Sequence, residues 1–166
     1  MMRLDGNMNG GKSMARLVTH DMQNNELITG ISMIAVLNSV ERLPISKILL
    51  IEPLLSYSSV RSALSGSRSI IRSIEELVIK QNISFANFND RYYDSLLLSI
   101  NSIILFQKMG LLINKEEMVY YVKNSFDFNT QLGNKAADRI KAAPKLARIL
   151  KEGEASDFYL SLRVKL

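Results

Sequence analysis

The segment nearest to a known catalytic motif is GNMNGGKS at residues 6–13. It fits the pattern G-x-x-x-x-G-K-S, in which backbone N–H groups surround phosphates, the lysine neutralises their charge and the serine hydroxyl reaches Mg²⁺. The motif works only between a buried strand and a helix. The five residues before Gly6 include an acidic residue and lack the pattern of a buried strand. We therefore expect a flexible tail rich in glycine and asparagine here, rather than a nucleotide site.

A second possible catalytic site is the polar cluster at residues 87–94. Asp90 and Asp94 lie four residues apart and can share one face of a helix, the minimum arrangement for acid–base catalysis by paired carboxylates. The sequence has one histidine, His20, and no cysteine, which leaves few residues for a catalytic triad or a metal site. We therefore predict no catalytic residues, no metal and no cofactor. We interpret the cluster as side chains that cap and stabilise the N-terminus of a helix.

The same cluster also fits a surface that recognises another protein, because tyrosine and arginine are favoured at protein interfaces. Two more tyrosines lie in a segment rich in β-forming residues at 118–122. The predicted partner interface comprises Asn89, Arg91, Tyr92, Tyr93, Tyr120 and Tyr121.

The formal net charge of +5 is compatible with a nucleic-acid partner but does not require one. A group of basic residues lies on a predicted C-terminal helix, opposite its stripe of alanine and isoleucine. Such a face is also typical of a surface helix that contacts only water. The predicted nucleic-acid contacts are Lys135, Arg139, Lys141, Lys145 and Arg148.

One helix is expected to organise the fold that positions these residues. Residues 96–106 are apolar on almost every face of a helix, which predicts a buried central helix rather than a surface helix. Gly110 ends it in the manner of a C-cap glycine. Asn87 or Asn89 can cap its start.

Apolar spacing predicts further helices on both sides of the central one. Pro44 stops the first, Ser46 is the expected N-cap of the second, and a short helix precedes Gly66. Pro144 interrupts the C-terminal helix, which Gly153 ends. The predicted helices are 26–42, 47–55, about 67–81, the central helix and 135–151.

The segment after the central helix predicts a β-hairpin. Residues 111–113 and 118–122 are strand candidates, and 114–117 form the turn between them. A helix followed directly by such a hairpin is the order of a winged-helix unit. The predicted fold class is therefore mainly α with one β-hairpin (α+β), a winged-helix-like domain around a buried central helix, with additional C-terminal helices.

Composition agrees with one folded domain. Hydrophobic residues make up 47% of the 166-residue chain, enough for a substantial core. The longest apolar run is too short and too polar for a membrane span, and the start lacks the apolar core of a signal peptide. We predict a cytoplasmic protein with a flexible tail at 1–25 and a single domain at 26–166.

Several short segments, taken in order, carry a family resemblance. They are ERLP at 41–44, ILLIEPLL at 48–55, FANFNDRYYDSLLLSINSIILFQKMGLL at 85–112, KAADRIKAAPKLARIL at 135–150 and FYLSLRVKL at 158–166. In this combination the chain resembles the middle-component family of bacterial three-component ABC-type antiphage defence systems, including those called Lamassu. The likeness covers residues 26–166, and the glycine-rich start lies outside it.

The resemblance implies a non-catalytic accessory subunit. Members of the family are encoded beside an SMC-like ABC ATPase and an effector, often a nuclease, so these two proteins are the implied partners, with DNA contacted through the complex and no membrane involved. The family has no catalytic residues to transfer to this chain. From the residues alone, a free-standing winged-helix DNA-binding transcription regulator is the alternative, on the strength of the hairpin and the basic C-terminal face.

Overall fold

The structure, a computed structural model, describes residues 10–68, 70–129 and 131–166, with side chains from Asn25 onward. Within these residues the fold is mostly helical and contains a small antiparallel sheet of three strands. In chain order the elements are α1 (Gly10–Val40), β1 (Arg42–Pro44), α2 (Ile45–Ile48), α3 (Ile51–Leu55), α4 (Ser58–Ser65), α5 (Ile74–Lys80), α6 (Asn82–Phe85), α7 (Phe88–Lys108), β2 (Leu112–Lys115), β3 (Met118–Tyr121), α8 (Asn134–Glu152) and α9 (Ala155–Ser161).

Helix α1 lies at the centre of the fold. Its residues Met33, Val36 and Leu37 have no exposed surface, and the helix packs against both α7 and α8. Gly30 lets α7 approach closely, because the ring of Phe106 occupies the space that a side chain at position 30 would fill. The central buried segment of this fold is therefore residues 29–37 of α1, all of which are buried.

The prediction that α7 is buried on nearly every face is wrong. Leu97 is 69% exposed, and Ile100 and Ile104 are 39% and 45% exposed. The inward face carries Ser99 and Ser102 instead, both fully buried. Because the distance between packed helices depends on the side chains at the contact, these small residues let α7 lie close to the core. The serines that interrupt the apolar pattern of α7 therefore lie on its packed face.

The sheet has the strand order β1-β3-β2, and both pairs of neighbours are antiparallel. The predicted hairpin of β2 and β3 is confirmed, but the sequence pattern does not predict β1. Pro44, interpreted only as a helix stop, ends this edge strand, a position where a missing N–H is tolerated. Glu116 and Glu117 form the hairpin turn with φ angles of 53° and 63°, both positive as in a two-residue type I′ turn.

Helix α1 begins at Gly10, well before the predicted start at Glu26. Part of the predicted tail therefore has helical backbone. Residues 10–13, the second half of the G-x-x-x-x-G-K-S motif, belong to this helix, whereas residues 6–9 of the motif lie outside the described residues.

The second and third predicted helices also begin elsewhere. The segment 47–55 is divided into α2 and α3, and α2 follows Pro44 without a side-chain cap, so Ser46 is not an N-cap. Helix α5 is shorter than its predicted range. It begins where the Ser73 hydroxyl accepts a hydrogen bond from the N–H of Glu76 at 3.3 Å.

Other predicted helix ends are confirmed. Helix α4 ends directly before Gly66, and α8 ends directly before Gly153. The predicted interruption at Pro144 is wrong, because α8 continues through this residue as one helix. Helix α7 begins after Asn87, one of its two predicted caps, but the Asn87 side chain makes no capping hydrogen bond, so it is not a side-chain cap.

A buried tyrosine anchors the C-terminal helix α9. The Tyr159 hydroxyl lies 3.1 Å from the Tyr92 hydroxyl and donates to the carbonyl of Ser46 at 2.8 Å. The two rings meet edge to face with their centroids 5.5 Å apart. Burial raises the pKa of Tyr159 well above its ordinary value.

We expect this tyrosine to make the folded protein sensitive to alkaline pH. In the unfolded chain Tyr159 ionises near its ordinary pKa of 10.0, whereas in the folded protein it stays protonated to higher pH. The folded state therefore holds more protons above that value, and the free energy of unfolding falls as pH rises through about 10 and beyond. Urea unfolding between about pH 8 and pH 11 should show a shallower decline for Tyr159→Phe than for the wild type.

The matched control is Tyr120→Phe, a change at a half-buried tyrosine on the sheet. This variant should keep the decline of the wild type. Equal slopes for the wild type and Tyr159→Phe would show that the buried hydroxyl is not the source of the alkaline sensitivity.

Candidate protein-binding surfaces

One face of the three-stranded sheet is turned to solvent. Leu43 and Val119 point to the core and are 3% and 0% exposed, so their neighbours along each strand point outward. On the outward face, Tyr120 lies in register between Ile113 on β2 and Arg42 on β1. We call this surface the outer sheet face. It comprises Arg42, Pro44, Ile113, Lys115, Met118 and Tyr120.

The outer sheet face carries residue types that are common at protein interfaces. Ile113 is 54% exposed, and the guanidinium carbon of Arg42 lies 5.9 Å from the centroid of the Tyr120 ring. Tyrosine, arginine and methionine are enriched at interface centres. Tyr120 is therefore in position to contact a partner. Tyr121 points to the core and is 7% exposed, so its assignment to a partner interface is wrong.

The tip of the hairpin is acidic. Glu116 and Glu117 form the turn, and the only nearby cation on the strand, Lys115, lies 3.7 Å from the Glu116 carboxylate. In the predicted DNA-binding regulator, this tip would approach phosphates. Carboxylates are repelled there, so the tip is better suited to contact with protein than with DNA.

Two of the predicted interface residues at the start of α7 contact other elements of this chain. Tyr92 is 4% exposed. The guanidinium carbon of Arg91 lies 3.5 Å from the centroid of the Tyr57 ring, and its Nη2 donates to the carbonyl of Ser84 at 2.5 Å. Burial lowers the pKa of Arg91. Tyr92 and Arg91 hold neighbouring elements against α7, so their assignment to a partner interface is wrong.

Asn89 and Tyr93 hold the C-terminal segment. The Oδ1 atom of Asn89 accepts a hydrogen bond from the N–H of Lys165 at 2.9 Å, and the Tyr93 hydroxyl donates to the carbonyl of the same residue. The Tyr93 side chain is nevertheless 46% exposed. The structure thus brings four of the predicted interface residues together at the start of α7, and Tyr93 is the most accessible of them.

Two of the predicted nucleic-acid contacts are engaged within the protein. Arg139 pairs with Glu52 at two points, with Nη1–Oε2 and Nη2–Oε1 distances of 2.5 and 3.1 Å. The Thr29 hydroxyl donates to the same Oε2 atom at 2.8 Å, and Lys145 donates from Nζ to the carbonyl of Gly66 at 2.8 Å. Arg139 is therefore not free to bind phosphates, and its assignment is wrong. Lys145 is half-buried, and its assignment stays a prediction. The predicted contacts that are exposed are Lys135, Lys141 and Arg148.

Sequence reasoning misses the role of Lys47. This lysine is 7% exposed, and its Nζ donates to the carbonyl of Leu150 at 2.8 Å and to that of Gly153, at the end of α8. Its Nζ also lies 5.4 Å from the centroid of the Phe158 ring. Burial lowers the pKa of Lys47. The lysine satisfies carbonyls that a helix end leaves unpaired, so it is a structural cation and not a surface one.

A second exposed surface lies along α7, where the sequence pattern predicts only core. Tyr93, Leu97, Ile100 and Ile104 are 46%, 69%, 39% and 45% exposed. At 100° per residue they project within about 60° of one another around the helix axis. We call these four residues the α7 stripe. The core covers only some of the apolar faces of α7. The apolar face that remains exposed is available for contact with another polypeptide.

Among residues 10–68, 70–129 and 131–166, no three His, Cys, Asp or Glu side chains form a group able to hold a metal ion. None of the helices in these residues combines the length and apolar character of a membrane span. No protein-family model matches the chain, and comparisons with curated proteins and with solved structures found no match either.

Proposed function

We propose that this chain is a non-catalytic accessory subunit that holds an SMC-like ABC ATPase against an effector, a nuclease, in a cytoplasmic bacterial antiphage complex. The kinds of partner follow from the resemblance of residues 26–166 to the middle-component family. The observation that carries the proposal is the outer sheet face, an exposed surface with the residue types of a protein interface.

In this proposal the ATPase docks on the outer sheet face. Ile113 and Tyr120 are cross-strand neighbours that supply an apolar and aromatic centre, and Arg42 and Lys115 supply a basic rim. Interfaces commonly combine such a centre with a polar rim. The unit formed by α7, β2 and β3 is then winged-helix-like, with a wing that contacts protein rather than DNA.

A winged-helix DNA-binding transcription regulator is the second candidate function. It is favoured by Lys141 and Arg148, two exposed cations that lie about two turns apart on one side of α8. The acidic hairpin tip and the ion pair that occupies Arg139 weigh against it. A regulator would bind a specific duplex as an isolated protein, with an affinity that falls steeply with salt.

Co-expression with the SMC-like ATPase and the effector encoded by neighbouring genes tests the proposal. The tagged wild-type chain is expected to retain the ATPase through washing. The double variant Ile113→Ser/Tyr120→Ser removes the centre of the outer sheet face. We expect the amount of ATPase retained by this variant to fall at least about tenfold. A tenfold loss of affinity corresponds to about 1.4 kcal/mol, and residues at an interface centre commonly contribute that much or more.

The matched control is Leu160→Ser, which changes a side chain that is 76% exposed on α9 and should leave ATPase retention unchanged. A wild-type chain that elutes without the ATPase contradicts the proposal, and so does equal retention by the double variant and the wild type. Sequence-specific duplex binding by the isolated chain would support the regulator instead.

A further inference from the structure

We infer that the α7 stripe is covered by α7 of a second copy of this chain, in an antiparallel pair with two-fold symmetry. The inference goes beyond the proposed function and does not involve the outer sheet face. Two observations carry it, namely the exposure of the α7 stripe and the positions of the charged residues beside it.

The α7 stripe has the form of a helix-pairing surface. Leu97, Ile100 and Ile104 follow the spacing i, i+3, i+7, which brings apolar side chains into line on one helix face. No charged residue of α7 falls within the arc that these side chains span. Leu97 is the most exposed of them and lies near the middle of the helix. Pairing with a second such surface removes these side chains from water.

The charges beside the stripe select the orientation of the second copy. Asp90 and Lys108 lie about five turns apart and project in the same direction, about 20° to one side of Leu97. Consider a two-fold axis that passes between the two helices at the middle of the stripe, perpendicular to both. It reverses the direction of the second helix, but the charged residues of both copies stay on the same side of the contact. It therefore brings Asp90 of each copy opposite Lys108 of the other.

Both charged groups are available for this contact. Asp90 and Lys108 are exposed, and within the described part of the chain neither forms a salt bridge. A parallel pair would place Asp90 of the two copies at the same height but on opposite sides of the contact, and likewise Lys108, so neither charge would meet its opposite. The helix dipoles favour the same choice, because antiparallel helices place the partly positive start of one beside the partly negative end of the other.

The expected affinity of the pair is modest. One helix face on each copy buries less than the ~1,200–2,000 Å² of a standard interface. We therefore expect a dissociation constant in roughly the micromolar range. At that affinity the chain is a mixture of monomer and dimer at ordinary laboratory concentrations.

Sedimentation velocity of the isolated full-length chain, at increasing concentration, tests the inference. The wild type is expected to shift from monomer to dimer across the micromolar range. Asp90→Lys and Lys108→Asp each place two pairs of like charges in the dimer. Each variant is expected to raise the dissociation constant at least about tenfold.

A mixture of the two charge variants gives the most specific readout. In the heterodimer of Asp90→Lys with Lys108→Asp, both pairs again carry opposite charges. We expect this mixture to dimerise with a dissociation constant within about threefold of the wild-type value. A variant that merely misfolds would not be rescued by a second variant.

The apolar part of the stripe has its own test. Leu97→Asp should abolish dimerisation, and the matched control Ile83→Asp, at a side chain that is 88% exposed on α6, should not change it. The inference is overturned if the wild type stays monomeric throughout, or if the mixture of charge variants does. Because no partner protein is present in this assay, its outcome is separate from that of the ATPase retention experiment.

Discussion

Replacing Glu52 with leucine is expected to lower the free energy of unfolding by about 3–5 kcal/mol. The Glu52 carboxylate is buried and holds both the Arg139 guanidinium and the Thr29 hydroxyl. With leucine at this position, the Arg139 side chain, which is 13% exposed, loses its carboxylate partner and keeps only the 3.4 Å hydrogen bond from Nη1 to the Ser32 hydroxyl. Urea unfolding followed by circular dichroism measures the loss.

A double variant provides the control for this prediction. Glu52→Leu/Arg139→Met replaces the ion pair with apolar side chains, and it is expected to recover most of the loss because neither charge is left unpaired. A cost below about 1 kcal/mol for Glu52→Leu would contradict the prediction. So would a double variant that is no more stable than the single one.

The substitution Gly30→Ala is expected to destabilise the protein by about 2–3 kcal/mol. This is opposite in sign to the usual effect, because alanine in a helix interior is favoured over glycine by about 1 kcal/mol. Here a Cβ atom at position 30 would lie 2.0 Å from Cε2 of Phe106. The buried ring, and α7 with it, would have to move away from α1. Urea unfolding of the variant measures the change.

A second substitution identifies the cause. Phe106→Leu vacates the space that the ring fills, so Gly30→Ala should cost less in that background. We expect a coupling energy of about 1–2 kcal/mol in the double-mutant cycle. If Gly30→Ala stabilises the otherwise wild-type protein, α1 and α7 do not approach as closely as the structure has them.

The sequence predicts the class of this fold, but it does not predict which helix lies at the centre. Apolar spacing correctly indicates a mostly helical chain with a hairpin after α7, because those patterns are local. It does not indicate that Gly30 admits the ring of Phe106, or that Ser99 and Ser102 lie against the core. A serine in a helix can be buried when its hydroxyl bonds to the preceding turn, as Ser102 does at 2.7 Å from the carbonyl of Leu98. Such a residue is counted as polar in any pattern.

The candidate surfaces could be predicted only where the cause of exposure is local. The alternation of side chains along β3 separates Tyr120 from Tyr121 once the strand is known. By contrast, Arg139 and Lys47 have partners 87 and 103 residues away in the chain. No local pattern distinguishes such internal cations from solvated ones. The α7 stripe is exposed for a similar reason, since its exposure depends on how far α1 and α3 cover the helix.

The short helix α2 links the hairpin to the end of α8. Its first residue, Ile45, donates its N–H to the carbonyl of Glu117 in the hairpin turn at 2.8 Å, and Lys47 reaches the carbonyl of Leu150 at 2.8 Å. The Lys47 ammonium is 7% exposed, so opening its bond to α8 would leave a buried charge unsatisfied. We therefore expect a displacement of the hairpin to be passed through α2 to the C-terminal end of α8.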